Sequence, residues 1–130
     1  MITFWLDPTT GVPPYLQLVH QVEQALRVGQ LQVGDRLPLI REVVIALTLN
    51  PNTVHKAYRE LEGKGLLEGR PGQGTFVRAT IGTVPFAAHA SLRKALAPWI
   101  ASARAAGIDD TGIAALFATT LHDTRSETVA

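Results

Sequence analysis

The sequence predicts a mainly α-helical fold that contains one small β-hairpin and ends in a pair of helices. Three observations carry this prediction. Apolar residues recur at helical spacing in three stretches of the first half of the chain. Two short β-prone runs then flank the turn-forming stretch Pro71-Gly72-Gln73-Gly74. Beyond this hairpin the composition becomes rich in alanine, and two further helical patterns follow.

The first thirty residues are predicted to hold a strand and a helix. The apolar run ITFWL, residues 2–6, is typical of a short β-strand, and DPTTGVPP is typical of a turn. Pro14 suits the first position of a helix, and Gly29 is placed to end it. The predicted buried face of this helix consists of Tyr15, Leu18, Val19, Val22 and Leu26.

Two shorter helices are predicted after a connector, QLQVGDRLP, residues 30–38. The first covers about residues 39–47, and its predicted buried side consists of Ile40, Val43, Val44 and Leu47. Asn50 is a favourable N-cap and Pro51 suits the first helical position. The second helix is therefore predicted to begin there and to continue to about residue 64, directly before the hairpin.

Two helices joined by a tight turn and followed by a hairpin are typical of a winged helix-turn-helix, whose second helix enters the major groove of DNA. The residues that point away from the apolar stripe of this helix are Asn52, Thr53, His55, Lys56 and Arg59. Asparagine and threonine contact base edges, and basic side chains neutralise phosphates. An ordinary amphipathic helix with a solvated face explains the same pattern, but the glycine-rich hairpin favours DNA binding.

Composition excludes several classes of protein. Of the 130 residues, 46% are hydrophobic, which is enough for a packed core and too many for a disordered chain. Because the chain has no cysteine, it has neither disulfides nor a thiolate metal site. No signal-peptide pattern and no run of about 18 apolar residues is present. We therefore expect a cytoplasmic protein without a membrane span.

The positive charge is concentrated in the middle of the chain. The net charge is only +1, which is not typical of a non-specific nucleic-acid binder. Between Arg36 and Arg78, however, seven Lys or Arg residues against four Glu residues give a local charge of +3. A mixed solvated surface explains the charge alone equally well.

Residues from about Tyr15 to Val77 closely resemble the winged helix-turn-helix domain of the GntR family of bacterial transcription regulators. The resemblance rests on PPYLQLVHQVEQALRVGQLQVGDRLPLIREV and LNPNTVHKAYRELEGKGLLEGRPGQGTFV. These stretches hold a Gly-Asp-x-Leu-Pro connector, an Arg-Glu pair, an Asn-Pro-x-Thr-Val helix start and a closing Gly-x-Gly-Thr-Phe-Val, in family order and spacing. Leu39 stands where the family often has serine, and Pro51 and His55 stand where many relatives have arginine. The operator sequence of another branch of the family therefore cannot be assigned to this chain.

The resemblance implies roles in DNA binding for individual residues. Arg41 matches an arginine that contacts phosphate or bases. The base-reading positions of the family are matched by Asn52, Thr53 and His55. Gly72 matches the wing-tip glycine that approaches the minor groove, where the absence of a Cβ permits close backbone contact. Arg70 and Gln73 flank this glycine and are predicted to add contacts.

The rest of the chain resembles the short two-helix tail of the YtrA-like subfamily. We therefore predict a winged helix-turn-helix domain over residues 1–79, and a linker with a helical dimerisation tail over residues 80–130. The predicted dimer contacts are Leu92, Leu96, Trp99, Ile100, Ile113, Leu116 and Phe117. A homodimer matches palindromic operator DNA. The resemblance thus implies a regulator, with repression as the expected mode, and it leaves any small-molecule effector unidentified.

Other classes of function are weaker alternatives. A winged helix can serve as a protein-interaction module without sequence-specific DNA binding. An enzyme is not predicted, because the sequence shows no Ser/His/Asp set, no phosphate-binding loop before a helix and no acid pair in a recognisable context. No two histidines lie three or four residues apart, and His122 with Asp123 is only a remote metal candidate. Neither a metal site nor a cofactor is therefore predicted.

Overall fold

A computed structural model describes the backbone of residues 2–129 and the side chains of residues 2–125. Within this part of the chain, five helices accompany one antiparallel hairpin, which confirms the predicted fold class. The elements are α1 (Pro14–Arg27), α2 (Ile40–Leu47), α3 (Pro51–Gly63), β1 (Leu67–Arg70), β2 (Gly74–Val77), α4 (Phe86–Ala105) and α5 (Asp110–Val129).

The chain forms two compact units, Met1–Ala90 and Ser91–Ala130. The first contains α1, α2, α3, the hairpin and the beginning of α4. Its core is formed by apolar side chains from all of these elements except α4, with the N-terminal residues and the connector added to them. The most deeply buried of these side chains are Leu18, Val19, Val22, Leu26, Leu31, Leu37, Val54, Leu61, Leu67 and Val77. The predicted domain boundary after residue 79 stays a prediction.

The N-terminal residues form an extended arm and not a strand, so the prediction of a strand over residues 2–6 was wrong. Two glutamines of α1 provide the hydrogen bonds that a neighbouring strand would have given. Gln21 accepts from the Trp5 N–H at 3.1 Å and donates to the Trp5 carbonyl at 2.9 Å. Gln17 contacts both backbone groups of Asp7 in the same way, at 2.8 and 2.9 Å. The arm buries Ile2 and leaves Trp5 58% exposed.

Residues 80–84, expected to be a linker, pack against the C-terminal end of α1. The Thr80 hydroxyl donates to the Leu26 carbonyl at 3.2 Å. At Gly82 the chain passes so close to the carbonyl of Arg27 that a Cβ would collide with it. This segment therefore packs within the first unit.

The second unit is a helical hairpin. Gly107, at φ +90°, ends α4, and the Asp109 carboxylate accepts from the Gly112 N–H at 2.8 Å as the cap of α5. A glycine at positive φ after one helix and an aspartate cap before the next are typical of such a turn. Trp99 of α4 packs against Phe117 of α5, with ring centroids 4.8 Å apart. The two helices thus share an aromatic contact.

Candidate nucleic-acid interface

The start of α3 is set by local chemistry. The Asn50 side chain accepts a hydrogen bond from the Asn52 N–H at 2.8 Å, and Pro51 occupies the first helical position. The helix buries Val54, Ala57, Tyr58 and Leu61. On the opposite side, Asn52, His55, Lys56 and Arg59 are exposed and Thr53 is half-buried. The polar residues predicted to read DNA are therefore available to a ligand.

A hydrogen bond from Tyr58 connects α3 to the connector. Its hydroxyl donates to the Pro38 carbonyl at 2.6 Å, and the side chain is only 3% exposed. Burial, and then the negative charge of Glu42, raise the pKa of Tyr58 above its ordinary value. The phenol therefore stays a hydrogen-bond donor at every physiological pH, and it links α3 to the end of the connector before α2.

Tyr58→Phe should lower the free energy of unfolding by about 1–3 kcal/mol, because it leaves the buried Pro38 carbonyl without a partner. In the wild type, the contribution of the Tyr58 hydroxyl to stability should be constant up to the unfolded-state tyrosine pKa of about 10 and fall as pH rises further, since only the unfolded chain releases that proton there. Urea unfolding at pH 8 and pH 11 measures both effects. Tyr15→Phe is the control, and an equal loss in that variant would contradict the role of the Tyr58 hydroxyl.

The first turn of α2 presents Arg41. Glu42 accepts from the Leu39 N–H at 3.1 Å, and because Leu39 has no side-chain oxygen, only this half of a capping box forms. Arg41 is exposed beside it. A positive charge at the N-terminal end of a helix opposes the helix dipole, typically by about 0.3–1 kcal/mol. The position of Arg41 is thus unfavourable for the helix itself and suits contact with an anion.

The hairpin forms the wing. Strand β1 pairs with β2 in the register Leu67 with Val77 and Arg70 with Gly74. The Gln73 N–H donates to the Arg70 carbonyl at 2.9 Å across the turn. Proline before a glycine with φ +73° is the arrangement of a type II turn. A Cβ on Gly72 would meet no atom within 4 Å, so the tip of the wing is free to approach a ligand.

Gly72→Val should weaken DNA binding about tenfold or more, because valine resists positive φ and its bulk stands between the wing and the DNA. Gly11→Val is a matched control, since Gly11 has the same φ of +73° and equally free surroundings but lies in the N-terminal turn. Both variants should lose similar stability in thermal denaturation. Equal DNA affinity of the two in gel-shift titrations would show that the wing does not approach DNA closely.

A surface groove of about 860 Å³ lies between the first turn of α2, the front of α3 and the wing. It is lined by Arg36, Pro38, Leu39, Ile40, Arg41, His55, Gly69, Arg70, Pro71, Gly72, Gln73, Gly74 and Thr75. Five of the predicted DNA-binding residues meet here, namely Arg41, His55, Arg70, Gly72 and Gln73. Segments far apart in sequence thus form one surface that carries three arginines.

The other four predicted DNA-binding residues, Asn52, Thr53, Lys56 and Arg59, do not line this groove. Lys56 turns towards α1, where its ammonium lies 4.0 Å from the centre of the Tyr15 ring. Such a cation–π contact holds a lysine in one direction and leaves its hydrogen-bond donors free. These four residues extend the polar surface of α3 beyond the groove.

Arg70 is held by two neighbours on the wing. It forms an ion pair with Glu68 at 2.8 Å, and its guanidinium lies 4.2 Å from the centre of the Phe76 ring. The ion pair is exposed to solvent and is therefore worth little for stability. Its effect is to orient Arg70 along the strand.

Sequence reasoning overlooked Arg36. It was counted in the mid-chain charge but was not assigned to the site, although it lines the groove. The available signal was a basic residue inside the Gly-Asp-x-Leu-Pro connector. Its place beside the wing depends on a pairing over 40 positions of sequence.

None of the described helices is long and apolar enough to cross a membrane. No group of three or more His, Cys, Asp or Glu side chains in the described part of the chain is arranged to hold a metal ion.

Comparison with known proteins identifies the family. The bacterial regulatory proteins of the gntR family match residues 14–77. The HTH-type transcriptional regulator Rv1152 of Mycobacterium tuberculosis is 37% identical over 106 residues, which are 80% of this chain and 84% of that protein. The chain belongs to the GntR family. The matched segment contains every predicted DNA-binding residue.

A second relative supports the YtrA-like assignment within the GntR family. The HTH-type transcriptional repressor YtrA of Bacillus subtilis is 40% identical over 72 residues, 55% of this chain and 55% of that protein. The match thus spans about half the length of this relative. The names of these relatives denote transcriptional regulators and not enzymes, in agreement with the sequence prediction.

Solved GntR-type structures share the fold. YtrA from Sulfolobus acidocaldarius, a GntR-family transcription factor, matches with a TM-score of 0.54 at 28% identity over 75% of this chain and 97% of that one. A transcriptional antiterminator from Listeria monocytogenes EGD-e covers 96% of this chain and 90% of its own, with a TM-score of 0.56 and 31% identity. The AraR DNA-binding domain in complex with operator ORX1 gives 0.50 at 25% identity, over 57% and 92% of the two chains.

Proposed function

We propose that this chain is a sequence-specific transcriptional repressor that binds palindromic operator DNA as a homodimer. The observation that carries the proposal is the groove in which Arg41 of α2, His55 of α3 and the tip of the wing face one ligand. Helix-turn-helix proteins place such a reading helix in the major groove. The AraR domain, which shares the fold, was solved on operator DNA.

The apolar surface of the second unit supports the homodimer. Five of the seven predicted dimer residues are exposed in the single chain, between 38% for Trp99 and 67% for Leu92. Ile113, in contrast, is 6% exposed and is already buried within its own chain, and Ile100 is half-buried. Exposed apolar side chains of this number on two helices indicate an interaction surface. A second copy related by a two-fold axis offers the same surface in return.

Selection of bound duplexes from a random DNA pool tests the proposal. We expect one enriched sequence with two inverted half-sites separated by about one helical turn, 10–10.5 base pairs from centre to centre, or a multiple of it. Binding to that duplex should fall steeply with salt, because each phosphate contact releases counterions. Enrichment of no sequence, with binding equal to that of random DNA, would favour a protein-interaction module instead.

His55→Ala and Asn52→Ala should change the selected consensus more than they weaken binding to random DNA, because base-edge contacts carry the sequence information. Lys56→Ala and Arg59→Ala should instead lower the affinity for all sequences and reduce the salt dependence. Repeating the selection with each variant measures the difference. A consensus identical to that of the wild type would remove His55 and Asn52 from the set of reading residues.

A further inference from the structure

The connector pairs with the wing through one isolated β-bridge. Arg36 pairs with Phe76 of β2 in an isolated antiparallel bridge. On either side of this pair, the Leu37 N–H donates to the Thr75 carbonyl and the Val77 N–H donates to the Asp35 carbonyl, each at 2.8 Å. Arg36 is therefore held by the sheet of the wing, although it lies more than thirty residues before the hairpin in sequence.

The pairing places two arginines on one face of this sheet. Residues directly opposite each other on paired strands project to the same face. Arg36 and Glu68 are both paired with Phe76, and Arg70 lies two residues after Glu68 on the same strand. Arg36 and Arg70 consequently stand on opposite sides of β2 with the Phe76 ring between them.

Gly74 leaves room for the Arg36 side chain. The guanidinium Nε of Arg36 lies 3.2 Å from the point that a Cβ on Gly74 would occupy. Because Gly74 follows the wing turn, the side chain runs along β2 from Phe76 towards the tip and into the groove. Arg70 is paired with Glu68, whereas Arg36 is exposed and forms no ion pair with any residue that the structure describes. Its guanidinium donors are available to an anion.

We propose that Arg36 binds a backbone phosphate of the duplex beside the wing. This inference rests on the proposed function and adds a contact to it. Arginine matches the oxygens of a phosphate with two parallel N–H donors, and such contacts fix the register of a protein on DNA without reading its sequence. Arg36 thus anchors the wing from the connector side, while Arg41 and His55 face the same duplex from the helices.

The test compares charge-removing variants on the duplex recovered by selection. Arg36→Gln should bind about tenfold more weakly at 0.1 M salt, with the salt slope reduced by about 0.9 and the consensus unchanged. Arg36→Lys should keep the salt slope of the wild type, because lysine retains the charge, and its affinity should lie between those of the wild type and Arg36→Gln, because lysine lacks the two parallel donors. Arg27→Gln is the matched control, because Arg27 is an exposed arginine of the same unit that lies outside the groove and should leave the affinity unchanged.

Three results would overturn the assignment of Arg36. The first is an affinity of Arg36→Gln equal to that of Arg27→Gln. The second is an Arg36→Lys variant whose salt slope is reduced as much as that of Arg36→Gln. The third is a changed consensus, which would make Arg36 a base reader. Failure of the wild type to enrich any duplex would instead refute the proposed function itself. Thermal denaturation of each variant shows whether the wing remains folded, and Arg36→Lys keeps the comparison valid if glutamine disturbs the pairing.

Discussion

A chain truncated after Ala90 is expected to fold, to remain monomeric and to bind its full operator roughly 10²–10⁴ times more weakly than the intact chain. The loss in affinity follows because the dimer connects two DNA-binding units. Once one head of a dimer is bound, the other is held near its half-site at a high effective concentration, and a monomer lacks this advantage. The cut lies after Ala90, because residues 80–84 pack on α1 and belong to the first unit.

Analytical ultracentrifugation and gel-shift titration measure the two effects separately. A control keeps the chain intact and replaces exposed apolar residues of the tail, as in Leu92→Asp with Leu96→Asp. This variant should resemble the truncated chain in both measurements, because each change places a charge in the proposed interface. An intact wild type that stays monomeric at tens of micromolar, or a truncated chain that still dimerises, would show that the tail is not the dimer interface.

Arg41→Ala is expected to lower operator affinity by about 1–3 kcal/mol, or roughly fivefold to more than a hundredfold. The folded state should not be weakened. Removing a positive charge from the first turn of α2 relieves an unfavourable interaction with the helix dipole, so the free energy of unfolding should stay equal or rise slightly. An effect on binding without a loss of stability would distinguish a DNA contact from a structural residue.

Gel-shift titrations at fixed salt and urea unfolding of the same preparations check the Arg41 prediction. Lys64→Ala is a suitable control, because Lys64 pairs with Glu23 at 3.3 Å and does not line the groove. It removes one positive charge from the same unit and should change the affinity little. If Arg41→Ala binds the operator as tightly as Lys64→Ala does, Arg41 lies outside the contact surface.

Features determined by neighbouring residues were predictable from the sequence. The start of α3 follows from Asn50 and Pro51, which cap and begin the helix through contacts within three residues. The end of α4 at Gly107 and the cap at Asp109 are equally local. The five helices and the hairpin therefore lie close to where their periodicity and turn residues place them.

Features that depend on distant partners were not predictable. The sequence pattern of an extended segment is the same whether its backbone forms hydrogen bonds with a neighbouring strand or with side chains. In the arm, Gln17 and Gln21 serve as that partner, ten to sixteen residues away. The position of Arg36 on the wing likewise requires Phe76, and the burial of Ile113 within its own chain requires knowledge of how α4 and α5 pack.

The two tryptophans of the chain lie in different units, Trp5 on the arm and Trp99 in the helical hairpin. Each unit therefore carries one tryptophan. With excitation selective for tryptophan, Trp5→Phe leaves emission from the helical hairpin, and Trp99→Phe leaves emission from the unit that bears the groove, whose tyrosines Tyr15 and Tyr58 are then not excited. Dilution of the Trp5→Phe variant should then shift the remaining emission, because loss of the second copy changes the surroundings of Trp99, whereas dilution of Trp99→Phe should leave the emission of Trp5 unchanged.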